Sequence, residues 1–263
     1  MPIESITDVD IAAWQKDMKV IESSKGRPLS EAYLRTIQCQ FNSIINYAKE
    51  KGYLKYNPLA DIKNMGTKDI RVEFWTPEQY EKFAYYAMAY PQYYYAYEVL
   101  YWCGLRLGEM LALTLGDVDL DNGVISVTKT YSRRNRKDII TTPKTQNSIR
   151  KVSMPAFLID EIKEYIELQH KPKRDQRLFP IGKTEFTRTF HLLTEEAGLK
   201  RITLHGLRHS HVSLLISKKY DVFEVSKRIG HKSVKTTQDV YGHLFDDVQK
   251  SIANDLDMLR RGA

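Results

Sequence analysis

The sequence predicts a mainly α protein with a small antiparallel β-sheet, divided into two domains. Apolar residues recur at helical spacing over most of the chain, and several of these runs open on Ser, Thr or Asp caps. Between residues 117 and 153 the pattern changes to alternation around Asp121-Asn122-Gly123, a strong hairpin signal. Asn57-Pro58 and the basic stretch NMGTKDIRVE, residues 64 to 73, separate a first helical block from the rest.

Taken in order, Thr7 or Asp8 caps a helix running through Val20. Ser30 caps a longer one, in which Tyr33, Ile37, Phe41, Ile44, Ile45 and Ala48 form the apolar face and which Gly52 ends. Residues 1 to 63 are thus expected to form a helical domain, 64 to 73 a linker and 74 to 263 a second domain. That domain opens sharply at Thr76-Pro77-Glu78-Gln79, which combines an N-cap, Pro at the first helical position and Gln two positions on. Two helices follow, through Ala89 and about Leu113, and their tyrosines between 85 and 101 are read as packing residues. Strands are expected at 124 to 131, 137 to 142 and 149 to 153. Helices are expected at 155 to 169, 183 to 197, 205 to 218, 222 to 229, 233 to 243 and 246 to 260.

Composition bounds the function. The chain has 263 residues, 42% hydrophobic and 28% charged, enough for real cores. No apolar run approaches the roughly 18 residues of a membrane span, and MPIESITDVD lacks a signal-peptide pattern, so a cytoplasmic protein is expected. Cys39 and Cys103 lie far apart and point to neither a disulfide nor a metal site. The net charge is +7, and residues 131 to 151 hold seven Lys/Arg against one acid. Arg133, Arg134, Arg136, Lys137, Arg150 and Lys151 are therefore candidate contacts to a nucleic-acid backbone. A basic run alone is more often a solvated loop, so charge by itself decides nothing. Asp117, Asp119 and Asp121 imitate the start of a calcium loop. The imitation fails at Asn122, where Gly is needed, and at Thr128, where Glu is needed, so no metal is expected.

The densest cluster is HGLRHSH, residues 205 to 211. His205 and His209 are spaced for zinc, but HExxH is absent and Arg208 shares their helical face. A guanidinium opposes a metal and suits an anion. Core histidines bonded to backbone carbonyls are the alternative. Four further features are each weak alone. Arg106 stands in CGLRLGEML with Glu109 three residues on, and Lys144 lies in a turn between two strands. His231 follows Gly230, and Tyr241 precedes His243 in DVYGHL.

Their order is specific. Arg, Lys in a β-turn, HxLRH, GH and then YxH closely resembles the tyrosine recombinases, the phage-integrase family. The resemblance covers about residues 74 to 263. It makes residues 1 to 63 the end of a helical core-binding domain, incomplete at its N-terminus. Gly108 stands where many members have Ser before the glutamate. The resemblance implies a catalytic set of Arg106, Lys144, His205, Arg208, His231 and Tyr241. Tyr241 is then the nucleophile, and Arg106 and Arg208 grip the non-bridging phosphate oxygens. His205 takes the phenol proton, Lys144 protonates the leaving 5′-oxygen and His231 bonds the phosphate. His209 and His211 orient or pack around them.

The implied function is site-specific cutting and rejoining of double-stranded DNA through a 3′-phosphotyrosyl link, as in integrases of temperate phages and conjugative transposons. No cofactor is implied. The implied partners are DNA attachment sites and further copies of the chain, a tetramer in the synaptic complex. Residues 246 to 260, with Val248, Ile252, Leu256 and Leu259 in a stripe, form the oligomerisation helix. Two alternatives are a type IB topoisomerase-like enzyme and a non-catalytic DNA-binding module.

Overall fold

The computed structural model describes residues 1 to 263 except 25, 68 to 71, 136, 144 to 145, 232, 242 to 247 and 262 to 263. The chain forms two compact units, Met1–Arg71 and Val72–Ala263.

In the first unit α1 spans Asp8–Val20, and Thr7 and Asp10 bond each other's backbone at its start. α2 spans Glu31–Glu50 behind the Ser30 cap. Its buried face is Leu34, Gln38, Ile45 and Ala48, whereas Tyr33 and Ile44 are exposed. The apolar face therefore lies rotated from the expected one, because Gln38 is taken inward. It accepts a hydrogen bond from Gln15 Nε2 at 2.8 Å and donates to Asn42 at 2.8 Å, which satisfies the buried amide. Ile45, Ala48 and Leu54 form the small core with Ile3, Phe41 and Leu59 against them. Part of the expected linker belongs to this unit: Met65 is buried, and Asn64 accepts a hydrogen bond from Asn42.

In the second unit Trp75 is fully buried. Its backbone N–H donates to Ser210 Oγ at 2.9 Å and its indole N–H to the Lys200 carbonyl at 2.8 Å. α3 (Pro77–Ala87) starts at the expected capping box on Thr76 and Gln79. α4 (Pro91–Cys103) carries the tyrosines into the core, where Tyr101 stacks on Tyr80 at 3.6 Å and Tyr97 on Phe186 at 4.4 Å. The helix expected to continue to Leu113 stops instead at Gly104, whose φ of +62° ends it in the left-handed region. A Cβ on Gly104 would lie 2.5 Å from the His211 ring. The short α5 (Leu107–Ala112) restarts on a new axis with Arg106 as its N-cap.

Two small antiparallel sheets follow. β1 (Val118–Asp119), β2 (Val124–Val127) and β5 (Arg150–Ser153) form one in the order β1-β2-β5; β3 (Thr130–Arg134) and β4 (Lys137–Thr141) form the other. The single strand expected over 124 to 131 is thus two. The chain leaves the first sheet at Thr128-Lys129, where Lys129 pairs with Asp117 at 2.6 Å.

α6 (Ala156–Glu167) and α7 (Lys183–Glu196) complete the main core with α3, α4 and the first sheet. α8 (Leu204–Ser217), α9 (Val222–Ile229) and α10 (Val234–Tyr241) enclose a second cluster of Val212, Ile216, Val225, Ile229 and Tyr241. α11 spans Val248–Arg261. Among the described residues no helix is long and apolar enough to cross a membrane.

Candidate active site

α8 organises the site. Thr203 caps it by accepting from Gly206 N–H, which fixes the first turn and sets His205, Arg208 and His209 on one face. His205 is exposed; Arg208 is buried and donates from its two terminal nitrogens to the Gly104 carbonyl at 2.8 Å and the Ile229 carbonyl at 2.6 Å. The helix break at Gly104 is what turns its carbonyl toward Arg208 and aims Arg106 at the same place. Arg106 donates to Glu109 at 2.7 Å and to the Gly230 carbonyl at 2.9 Å, with 36% of its side chain exposed. Glu109, three residues on in the sequence, thus pairs with Arg106 and holds its guanidinium in place.

His231 follows the left-handed Gly230 that ends α9, and its Nδ1 lies 2.9 Å from Thr237 Oγ1 on α10. Tyr241 ends α10, 1% exposed, and a hydrogen bond joins its hydroxyl to His209 Nδ1. The ring of His209 in turn meets His205 edge-on at 4.6 Å. In the observed arrangement the immediate partner of the phenol is therefore His209, not His205. The i, i+4 spacing of the two histidines could not tell them apart. His211, three residues on from Arg208, accepts from Arg228 Nε at 3.1 Å and packs against Gly104 just past α4.

Charge states follow from burial beside cations. Desolvation first, then Arg208 and Arg106, lowers the pKa of His205; the same causes bring His231 to about 4. Desolvation, His205 and Arg208 bring His209 to about 3. Burial raises the Tyr241 phenol well above its usual value, with Arg208 opposing. At neutral pH the site thus holds two positive guanidiniums, neutral imidazoles and a protonated tyrosine, a constellation open to an anion.

Of the remaining expected residues, Lys144 lies between β4 and β5, outside the described residues, as does Arg136. Arg133, Arg134 and Lys137 are exposed on the β3–β4 hairpin, and Lys151 is exposed on β5. Arg150 is different: its side chain is 6% exposed and bonded to Glu109 at 2.9 Å. It does not belong to the basic surface on which the charge run had put it. The period-two pattern of β5 carries the signal, since Arg150 shares a side with the buried Val152. Among the described residues no group of three or more His, Cys, Asp or Glu could hold a metal ion. Asp117 bonds Thr114 and Lys129, and Asp119 bonds Asn122.

Sequence comparison matches residues 73–247 to the phage integrase family. The ICEBs1 integrase of Bacillus subtilis (strain 168) is 34% identical over 98% of this chain and 72% of its own length. The integrase of Staphylococcus phage L54a is 31% identical over 62% of this chain, an alignment spanning about half, 51%, of that protein. In fold, the chain is similar to the Tn1549 transposon integrase in complex with a circular intermediate DNA, with a TM-score of 0.81 at 22% identity, over 97% of this chain and 87% of that one. A lambda integrase dimer bound to a core site matches with a TM-score of 0.61 at 19% identity, over 91% and 81%. With the order of its motifs, the convergence of Arg106, Arg208, His231 and Tyr241 around α8 and α9, and a family match over most of its length, the chain belongs to the phage integrase family of tyrosine recombinases.

Proposed function

We propose that the chain cuts and rejoins double-stranded DNA at specific sites through a covalent link to Tyr241. The observation that carries this reading is the gathering of two guanidiniums, three imidazoles and one tyrosine, from the start of α5, from α8, from just past α9 and from α10, into one cluster within a single unit.

The Tyr241 oxygen attacks the scissile phosphorus and the bond from phosphorus to the 5′-oxygen breaks. The product is a 3′-phosphotyrosyl link and a free 5′-hydroxyl, which reverses the step when it attacks in turn. Arg106 and Arg208 stabilise the charge that grows on the non-bridging oxygens. The phenol proton passes to an imidazole, His209 in the DNA-free arrangement, with His205 next to it on the exposed side. Lys144 protonates the departing 5′-oxygen, and His231 bonds the phosphate. The exposed Arg133, Arg134, Lys137 and Lys151 follow the DNA backbone. The DNA held by the similar Tn1549 and lambda integrases in their solved structures supports this partner.

Assembly of several copies on paired sites, a tetramer at synapsis, is the second part of the reading. It is supported by α11, whose Leu256 and Leu259 are 60% and 78% exposed.

The test is a nicked attachment-site duplex that traps the adduct. The wild-type chain forms a protein–DNA species stable to denaturant, in excess EDTA as well as without it. Tyr241→Phe binds the same DNA and forms none. Adduct formation by Tyr241→Phe, or loss of activity with EDTA and its return with magnesium, refutes the mechanism.

A further inference from the structure

The C-terminal end of α9 presents three successive carbonyls, and each accepts a hydrogen bond from a different arginine. Arg228 O accepts from Arg150 Nε at 2.7 Å, Ile229 O from Arg208 at 2.6 Å and Gly230 O from Arg106 at 2.9 Å. A helix C-terminus carries unsatisfied carbonyls and partial negative charge, so three guanidiniums are a stable complement to it. Two of the three are the proposed phosphate-gripping residues. The third, Arg150, comes from β5 and reaches further than either. Its terminal nitrogens also donate to both oxygens of Glu109, at 3.2 and 2.9 Å, and to the Ser148 carbonyl at 3.1 Å.

Glu109 is the residue on which Arg106 is fixed, through its guanidinium at 2.7 Å and its backbone N–H at 2.9 Å. Burial opposes ionisation of this carboxyl most strongly. The hydrogen bonds and charges of Arg150 and Arg106 outweigh it and hold the carboxyl below its ordinary range. The contact with α9 is close: a Cβ on Gly230 would lie 2.9 Å from the Asn147 carbonyl and 3.0 Å from an Arg150 nitrogen, and the φ of +67° already favours glycine there.

We infer that Arg150 is a positioning residue of the strand-exchange reaction, which its buried fork serves by locking Glu109 and the end of α9 together and so setting Arg106 and His231 against the scissile phosphate. The inference rests on the proposed recombinase reading and extends it to a nearly buried side chain held by protein groups. A lysine cannot do the same work, because only a planar fork reaches a carboxylate and a carbonyl on a different element at once.

The experiment uses the full chain and two trapped substrates, one with an ordinary scissile phosphodiester and one with a methylphosphonate there. The methylphosphonate lacks one non-bridging negative oxygen and so has less need of guanidinium grip. Arg150→Gln is expected to bind DNA nearly as the wild type does. At saturating DNA it should form adduct about 100-fold more slowly on the phosphodiester. The deficit shrinks on the methylphosphonate, as it does for Arg106→Ala, and the two substitutions combined lose little more than Arg106→Ala alone, since they act through one guanidinium.

A loss of affinity with the saturated rate intact overturns the proposal in favour of direct backbone contact. An equal deficit on both substrates, multiplying that of Arg106→Ala, overturns it in favour of a purely structural role. Should Arg150→Gln fail to fold, Arg150→Lys keeps the charge beside Glu109 without the fork and is read on the same substrates by the same outcomes. If the wild type forms no adduct on either substrate, the recombinase reading falls, and this inference with it, before any substitution is compared.

Discussion

His209 illustrates how finely the site depends on single atoms. It sits one helical turn from His205, yet burial, with His205 and the Arg208 guanidinium close by, keeps it neutral with a ring nitrogen on the Tyr241 hydroxyl. A neutral imidazole can receive the phenol proton, whereas an imidazolium cannot. His209→Gln keeps a hydrogen-bond acceptor near the phenol and should leave fold and DNA binding intact. It should slow adduct formation by about 100-fold or more, the ordinary worth of a positioned base. An unchanged rate assigns proton transfer to His205. At this scale the sequence was legible where residue type and order both mattered, as for Arg106, Arg208, His231 and Tyr241. Arg150 was misplaced because a count of charges ignores which side of a strand each charge takes. His209 was given only an orienting or packing role, because two histidines on one helical face differ only in what packs against them from α10, a contact between residues 32 apart.

Elements were located well and joined less well. Caps on Thr7, Ser30 and Thr76 mark helix starts because the signal lies within four residues. The stop at Gly104 was missed because CGLRLG reads as a continuing apolar helix; the left-handed backbone of Gly104 ends it, at a place where the His211 ring of another helix leaves no room for a Cβ. The split between β2 and β3 likewise depends on Lys129 finding Asp117. For α11 the helix is present, with Leu256 and Leu259 exposed; the side chains of Val248 and Ile252 lie outside the described residues. A stripe of that kind is stabilised by covering it. Truncation after residue 245 is expected to leave a folded chain that binds single sites and loses cooperative assembly on paired sites in sedimentation. Unchanged assembly means that α11 plays no part between copies and favours a topoisomerase-like monomer.

Over the whole molecule, buried titrating groups set how stability responds to pH. His209 and His211, near 3, and His231, near 4, lie below the unfolded value of about 6.5. Their contribution is complete above that value and is lost as pH falls through the window beneath it. Glu98 is opposite in sign: burial raises it to about 7 against the hydrogen bonds it accepts from Tyr80 and Trp102, so its contribution is complete below the unfolded value and lost as pH rises through 7. Thermal melts between pH 5 and 7 should therefore show a rise in Tm that Glu98→Gln steepens and His211→Gln makes shallower. Parallel curves for all three proteins would contradict these assignments.

Trp75 gives the second unit a mechanical property. It is the first fully buried residue after the segment leading from the first unit, and its backbone N–H is bonded to Ser210, the neighbour of His209 on α8. A pull on the backbone at Trp75 is thus felt first on α8, the helix that carries Arg208 and His209, and not on a remote loop.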